Sequence, residues 1–150
     1  MAILVIAEHD NRSLKGATFN TITAAAQIGA DIHVLVAGRG CTPVAEAVSG
    51  IEGVVSVLIA DAPHLEALLA EDLAKLVVGV VANEAGSYTH VLAPATAFGK
   101  NFLLPRRRFW YSLGRVLIPS PSFPAEVLFL GPQASPKRCV SCVSSYMAHV

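Results

Sequence analysis

At 150 residues, 53% hydrophobic and 15% charged, the chain can bury one real core and lies far from a disordered composition. The longest strongly apolar stretch near mid-chain, "LAKLVVGVVA" at residues 73–82, is too short for a membrane span and carries Lys75. The formal net charge is zero but unevenly spread: residues 1–105 carry five basic residues against ten acids, and residues 106–150 carry six against Glu126 alone.

The opening "MAILVIAEHD" has no basic segment ahead of its short apolar run. Neither a signal peptide nor an Arg-rich transit segment is expected, and a cytosolic or already processed chain fits. Residues 2–8, "AILVIAE", read as a first buried strand. Residues 14–28 place Leu14, Ala17, Ile22, Ala25 and Ala26 on one helical stripe, and Gly29 supplies a left-handed stop. "DIHVLVAG" at 31–38 is the second strand. Thr42 as N-cap and Pro43 at the first helical position open a short helix that runs to about Ser49 and ends at Gly50. "VVSVLIAD" at 54–61 is the third strand. A long helix is expected over 64–83, with Leu65, Leu68, Leu69, Leu73, Leu76 and Val77 on one face and Asp61 or Pro63 marking its start. "THVLAPA" at 89–95 is the fourth strand.

The strands are near-continuous apolar runs, which suits strands covered on both faces of a parallel sheet. Strand and helix alternate, so the fold class expected is α/β. It is a layered, mostly parallel, Rossmann-like sheet of the adenine-nucleotide-hydrolase kind, with helices on both faces and an irregular C-terminal tail. Ligands of such folds bind beyond the carboxyl ends of the strands. Those ends are "EHDNRS", "GRGCTP", "DAPH" and "TAFGKN".

Glu8, His9 and Asp10 follow the first strand, where an acid/base group or metal ligands would sit. The plainer reading is a polar loop that caps a helix. His33 lies within a strand without a nearby acid in sequence and reads as a hydrogen-bonded strand histidine. "GRGCTP" at 38–43 follows a strand and opens a helix as G-x-G-x-x-G does, but Pro43 replaces the third glycine. "ATAFGKN" at 95–101 shares only Gly99-Lys100 with a phosphate loop, and a structural helix start is expected there. Cys139 and Cys142 form a C-x-x-C that has neither a redox nor a zinc context. With no nucleophile elbow and no paired metal-ligand histidines, no catalytic or metal-binding residue is assigned, and cofactor-binding positions stay unassigned. A binding or scaffolding domain is expected rather than a self-contained enzyme.

"LVIAEHDNRSLKGATFNTITAAAQIGADIHVLVAG" at 4–38 and "YTHVLAPATAFGKN" at 88–101 resemble the opening of the electron transfer flavoprotein alpha subunit. "GVVSVLIADAP" at 53–63 falls where that family has its third strand, so the resemblance covers about residues 1–105. It implies an N-terminal domain that packs on a beta subunit, in a heterodimer that carries one FAD and, in many members, an AMP. It further implies a carrier that takes electrons from acyl-CoA or other dehydrogenases and passes them to a quinone oxidoreductase. The location implied is the bacterial cytoplasm or the mitochondrial matrix. The family's FAD-binding segment has no counterpart here, so no FAD-binding residue carries over and the chain alone is expected to be redox-inactive.

The departure begins at "GKNFLLPR", one residue longer than the family's spacing. The segment "RRFWYSLGRVLIPSPSFPAEVLFLGPQASPKRCVSC" then replaces an alanine-rich helix. Residues 1–104 are therefore expected to form the domain and 105–150 a basic Pro/Arg/Ser-rich tail. A frameshift or alternative end of a longer gene fits the composition best. A short variant whose tail binds something acidic and a diverged domain end remain open. Arg106, Arg107 and Arg108 form one short run beside clustered aromatics, so no nucleic-acid site is expected. "VLIPSPSFPAEVLFL" can add an edge strand, its prolines disfavouring a central place. Two other function classes stay in play: a stand-alone adenine-nucleotide-binding module that uses "EHDN" and "TAFGKN", and a nonfunctional truncated product.

Overall fold

Val, Ile and Leu make β1 (Ala2–Ile6) a strand that is buried along its whole length. It sits at the centre of the sheet in this computed structural model, which describes residues 2–83, 88–103, 117–119, 125–129 and 141–142. β2 (Asp31–Gly38) and β4 (Tyr88–Pro94) flank β1 in parallel, and β3 (Val54–Asp61) continues beyond β2. Side chains alternate between two helix layers, which is why both faces of each strand are apolar in sequence. Leu4, Ile6, Leu35, Ala37 and Leu58 point to one layer, and Ile3, Val5, Val34, Val36 and Val57 to the other.

The second layer is α1 (Gly16–Ile28) and α2 (Thr42–Ser49), the first α3 (Ala70–Asn83) with α4 (Ala97–Leu103) beside it. The expected layered α/β sheet is thus present, with helices on both faces. Gly29 ends α1 at φ 78°, as its place after the apolar stripe predicts.

Two helical expectations change. In α1 the stripe is rotated: Ala26 faces solvent, while Thr18 and Thr21 are buried beside Ile22 and Ala25. Threonine is tolerated inside because the Thr21 hydroxyl donates to the Ala17 carbonyl and the Thr18 hydroxyl to that of Glu8. The helix expected over 64–83 is broken. Pro63–Leu65 forms one 3-10 turn, Leu68 takes a left-handed φ of 44°, and α3 begins only at Ala70. Leu65 is driven fully into the core from the turn, and Leu69 is left outside. A left-handed leucine costs about 1 kcal/mol or more. Burial of Leu65 offsets it, and Glu71 and Asp72 favour a helix start at Ala70 by lying in its first turn.

Within the expected tail, three short strands join the sheet, two of them in the segment read as able to add an edge strand. β6 (Ala125–Phe129) pairs antiparallel with β4, and β5 (Leu117–Pro119) pairs antiparallel with β6 as the outermost strand on that side. Pro119 thus lies on an edge strand, where its missing N–H is tolerated. β7 (Ser141–Cys142) pairs with Leu58 and Ile59 at the opposite edge. The sheet order is β5-β6-β4-β1-β2-β3-β7.

Candidate functional site

The chain moves outward from β1 to β2 to β3, then crosses back to lay β4 on the other side of β1. The carboxyl ends of β1 and β4 therefore border the crevice where a layered α/β sheet takes ligands. Glu8 and Thr96 meet there. The Thr96 hydroxyl donates to the Glu8 carboxylate at 2.6 Å. The Glu8 backbone is also fixed, because its N–H donates to the Thr18 hydroxyl at 2.9 Å and its carbonyl accepts the Lys15 amide at 2.9 Å. The β1 and β4 ends are thereby joined through side chains to each other and to the first turn of α1.

Glu8, His9 and Asp10 do not converge on one point. Asp10 closes its own turn: its carboxylate accepts the amides of Arg12 and Ser13 and the Ser13 hydroxyl, with Lys15 Nζ at 3.5 Å. Those hydrogen bonds, the Ser13 amide first and the Arg12 amide next, hold its carboxyl well below the usual carboxylate range. His9 turns inward instead and is buried. Its Nδ1 accepts the Asn11 amide at 3.0 Å, and its Nε2 is buried without a hydrogen bond of ordinary geometry. Burial lowers its pKa and outweighs the Ala37 backbone and the Asp10 charge, which pull the other way. These side chains tie the loop to itself and to its neighbours, and none of them is the N-cap of α1, which is Lys15 without a side-chain cap bond.

The glycine turn after β2 is satisfied from within. The Gly40 amide donates to both oxygens of the Asp61 carboxylate, at 3.0 and 3.1 Å. The Gly38 carbonyl accepts the Ala62 amide, and Cys41 ends fully buried at the start of α2, where burial raises its thiol. Helix α2 begins at Thr42 with Cys41 as N-cap, so the cap lies one residue earlier than expected. Arg39 pairs with Glu66 at 2.7 Å on the open surface, a contact of little energetic weight. In "ATAFGKN", Gly99 packs against the end of β4. A Cβ there would overlap the Pro94 carbonyl oxygen. That glycine is structural, as a plain helix start implies.

His33 is a hydrogen-bonded strand histidine. Its Nδ1 lies 3.0 Å from the Tyr88 hydroxyl and its ring meets the Tyr88 ring edge-on, at the opposite end of the strands from Glu8. Sequence reading missed the role of Tyr88 because its partner His33 is 55 residues away and only the sheet brings the two together. Arg106, Arg107, Arg108 and Cys139 lie outside the described residues. Among the described residues no group of three or more His, Cys, Asp or Glu side chains is placed to hold a metal. No helix among them is long and apolar enough to cross a membrane.

The family model for the electron transfer flavoprotein domain matches residues 3–106. The electron transfer flavoprotein subunit alpha of Pseudomonas aeruginosa is 54% identical over 103 residues, covering 69% of this chain and 32% of that protein. The mitochondrial subunit alpha of Dictyostelium discoideum is 49% identical over 104 residues, 67% of this chain and 29% of its own length. The subunit alpha of Bradyrhizobium diazoefficiens is 48% identical over 106 residues, 71% of this chain and 32% of its own. The chain spans about a third of the length of these curated relatives. The matched residues run from β1 to just past α4, and the chain belongs to the electron transfer flavoprotein family, with alpha subunits as its relatives.

Proposed function

We propose that the layered domain docks the beta subunit of an electron transfer flavoprotein and that the assembled heterodimer is the electron carrier. The likeness to alpha subunits across the whole layered domain carries this reading. In the assembly FAD would supply the redox chemistry, and the protein position and electrostatics. Acyl-CoA or other dehydrogenases would supply the electrons and a quinone oxidoreductase would take them. The compartment would be a bacterial cytoplasm or a mitochondrial matrix.

The described residues do not fit FAD or an adenine nucleotide. A pyrophosphate at the carboxyl ends of the strands needs free backbone amides and no opposing charge. Here the Gly40 amide is held by the Asp61 carboxylate, and Glu8 holds Thr96. The Glu8 carboxylate stands in the crevice between β1 and β4, and the Gly40 amide at the β2 end is not free for a phosphate. The same observation weighs against a stand-alone nucleotide module, and no step is routed through a bound nucleotide.

We place the domain boundary near Pro105, supported by the charge break there and by a family match that ends at residue 106. A change of reading frame near codon 103 accounts for the basic tail, and the nucleotide sequence of the gene tests that origin. Function is tested by calorimetric titration of the purified chain with AMP, ATP and FAD. The expected result is no saturable heat at millimolar ligand. Micromolar binding of AMP or ATP by the chain alone would favour the nucleotide module instead.

A further inference from the structure

We propose that the loop from His9 to Leu14 is an acid-sensitive latch: neutral His9 holds Asn11 against the end of β2, and protonated His9 releases it. A ring nitrogen accepts a hydrogen bond only while it carries no proton. His9 Nδ1 is such an acceptor, for the Asn11 amide at 3.0 Å. Asn11 stands at φ 66°, in the left-handed region that a side chain rarely adopts. Both residues press on Gly38. A Cβ at that position would overlap Asn11 Oδ1 and crowd His9 Cε1, so the absent side chain is what lets the loop close on β2.

An imidazolium in this place would aim one N–H at the Asn11 N–H. It would keep the other buried on Nε2, which has no hydrogen-bond partner of ordinary geometry. The surrounding charges do not relieve it. On its own segment, Glu8 is engaged by Thr96, and Asp10 by two amides, the Ser13 hydroxyl and Lys15; Arg12 lies on the exposed turn. Beyond β2, Arg39 is paired with Glu66, and Asp61 at the end of β3 holds the Gly40 amide. Helix α1 carries no titratable side chain, and α4 offers only Lys100. The Ala37 backbone and, after it, the Asp10 charge act on His9 in the direction of protonation, and burial outweighs both. Opening would part the bridge between His9 and Leu14 and the contact on Gly38. The Asp10 turn would persist, because its hydrogen bonds are local.

The sign follows from linkage. His9 takes its proton less readily folded than unfolded, so the unfolded or opened chain binds more protons below the ordinary histidine value of 6.5. Closure is therefore favoured above that pH and weakens as pH falls through it. His90 shares the same direction through burial, so a global melt cannot separate the two and a local readout is needed.

The test is NMR on the full chain between pH 8 and 5, following the His9 ring and amide exchange corrected for its intrinsic pH dependence. The expected result is a His9 midpoint below 6.5 and about a tenfold loss of Asn11 amide protection that tracks it, as local opening requires. The Lys15 amide, bonded to the Glu8 carbonyl, should keep its protection. A His9→Asn variant places its Oδ1 near where Nδ1 stands, so it can still accept the Asn11 amide but does not titrate, and its Asn11 protection should stay flat with pH. Constant Asn11 protection across the His9 titration overturns the latch, as does an unchanged pH response in His9→Asn. Should that variant fail to fold, the native titration decides alone.

Discussion

Replacing Leu4 with alanine is expected to remove about 3–4 kcal/mol of folding stability, near the middle of the range for fully buried leucines. Leu4 has no exposed surface and lies on the middle strand, with His33 of β2 and Val91 of β4 as its register partners. Its side chain joins Leu35, Leu58, Val77 and Val91 in the layer under α3. The neighbours are held by two parallel strands and a helix, so they cannot collapse into the space that the truncation leaves. Urea unfolding checks it: the midpoint should fall with an unchanged slope. A loss below about 1 kcal/mol would mean that α3 is not packed on that face of the sheet.

The second large effect concerns Gly99, which lies inside α4. Helix propensity alone would make Gly99→Ala stabilising by up to about 1 kcal/mol. The close approach of α4 to β4 reverses the sign. The new methyl would overlap the Pro94 carbonyl oxygen and crowd the Ala93 Cβ. A backbone oxygen at a strand end cannot step aside as a side chain can, so α4 must shift away from β4. The expected cost is about 2–3 kcal/mol, as for overpacked cores. Loss of the packing of Phe98 against the α3 layer should accompany it. A neutral or stabilising Gly99→Ala would show that α4 is not seated on the end of β4.

The four parallel strands were legible because burial on both faces writes short runs of Val, Ile, Leu and Ala, each bounded by polar or turn residues. Gly29 and Pro43 marked their helices because each has a narrow backbone preference. The break before α3 was hidden. From His64 to Val78 the sequence has no glycine or proline, and the leucine spacing runs through the left-handed turn at Leu68. The acids Glu71 and Asp72 were the one local signal of the true start. The rotated face of α1 was hidden for a different reason: Thr18 and Thr21 count as polar until their hydroxyls are seen bonding to backbone carbonyls.

At the carboxyl ends, the residue types could be listed from sequence but not their partners. Glu8 and Thr96 are 88 residues apart, and nothing in either segment announces the other. His9 looked like one member of a polar trio, yet it turns into the core while Asp10 turns out. That divergence comes from the Asn11 amide and the bare Gly38 surface, which periodicity does not report. The family resemblance, in contrast, was legible from long blocks in order, and its span agrees with the matched residues 3–106.

The central claim is that the layered domain is a docking unit for a beta subunit. The direct measurement is size-exclusion chromatography with light scattering on this chain mixed with an electron transfer flavoprotein beta subunit from the same source. The account predicts a one-to-one complex that forms without added flavin and shows no flavin absorbance. Two separate peaks at tens of micromolar of each chain, with this chain folded by circular dichroism, would contradict it.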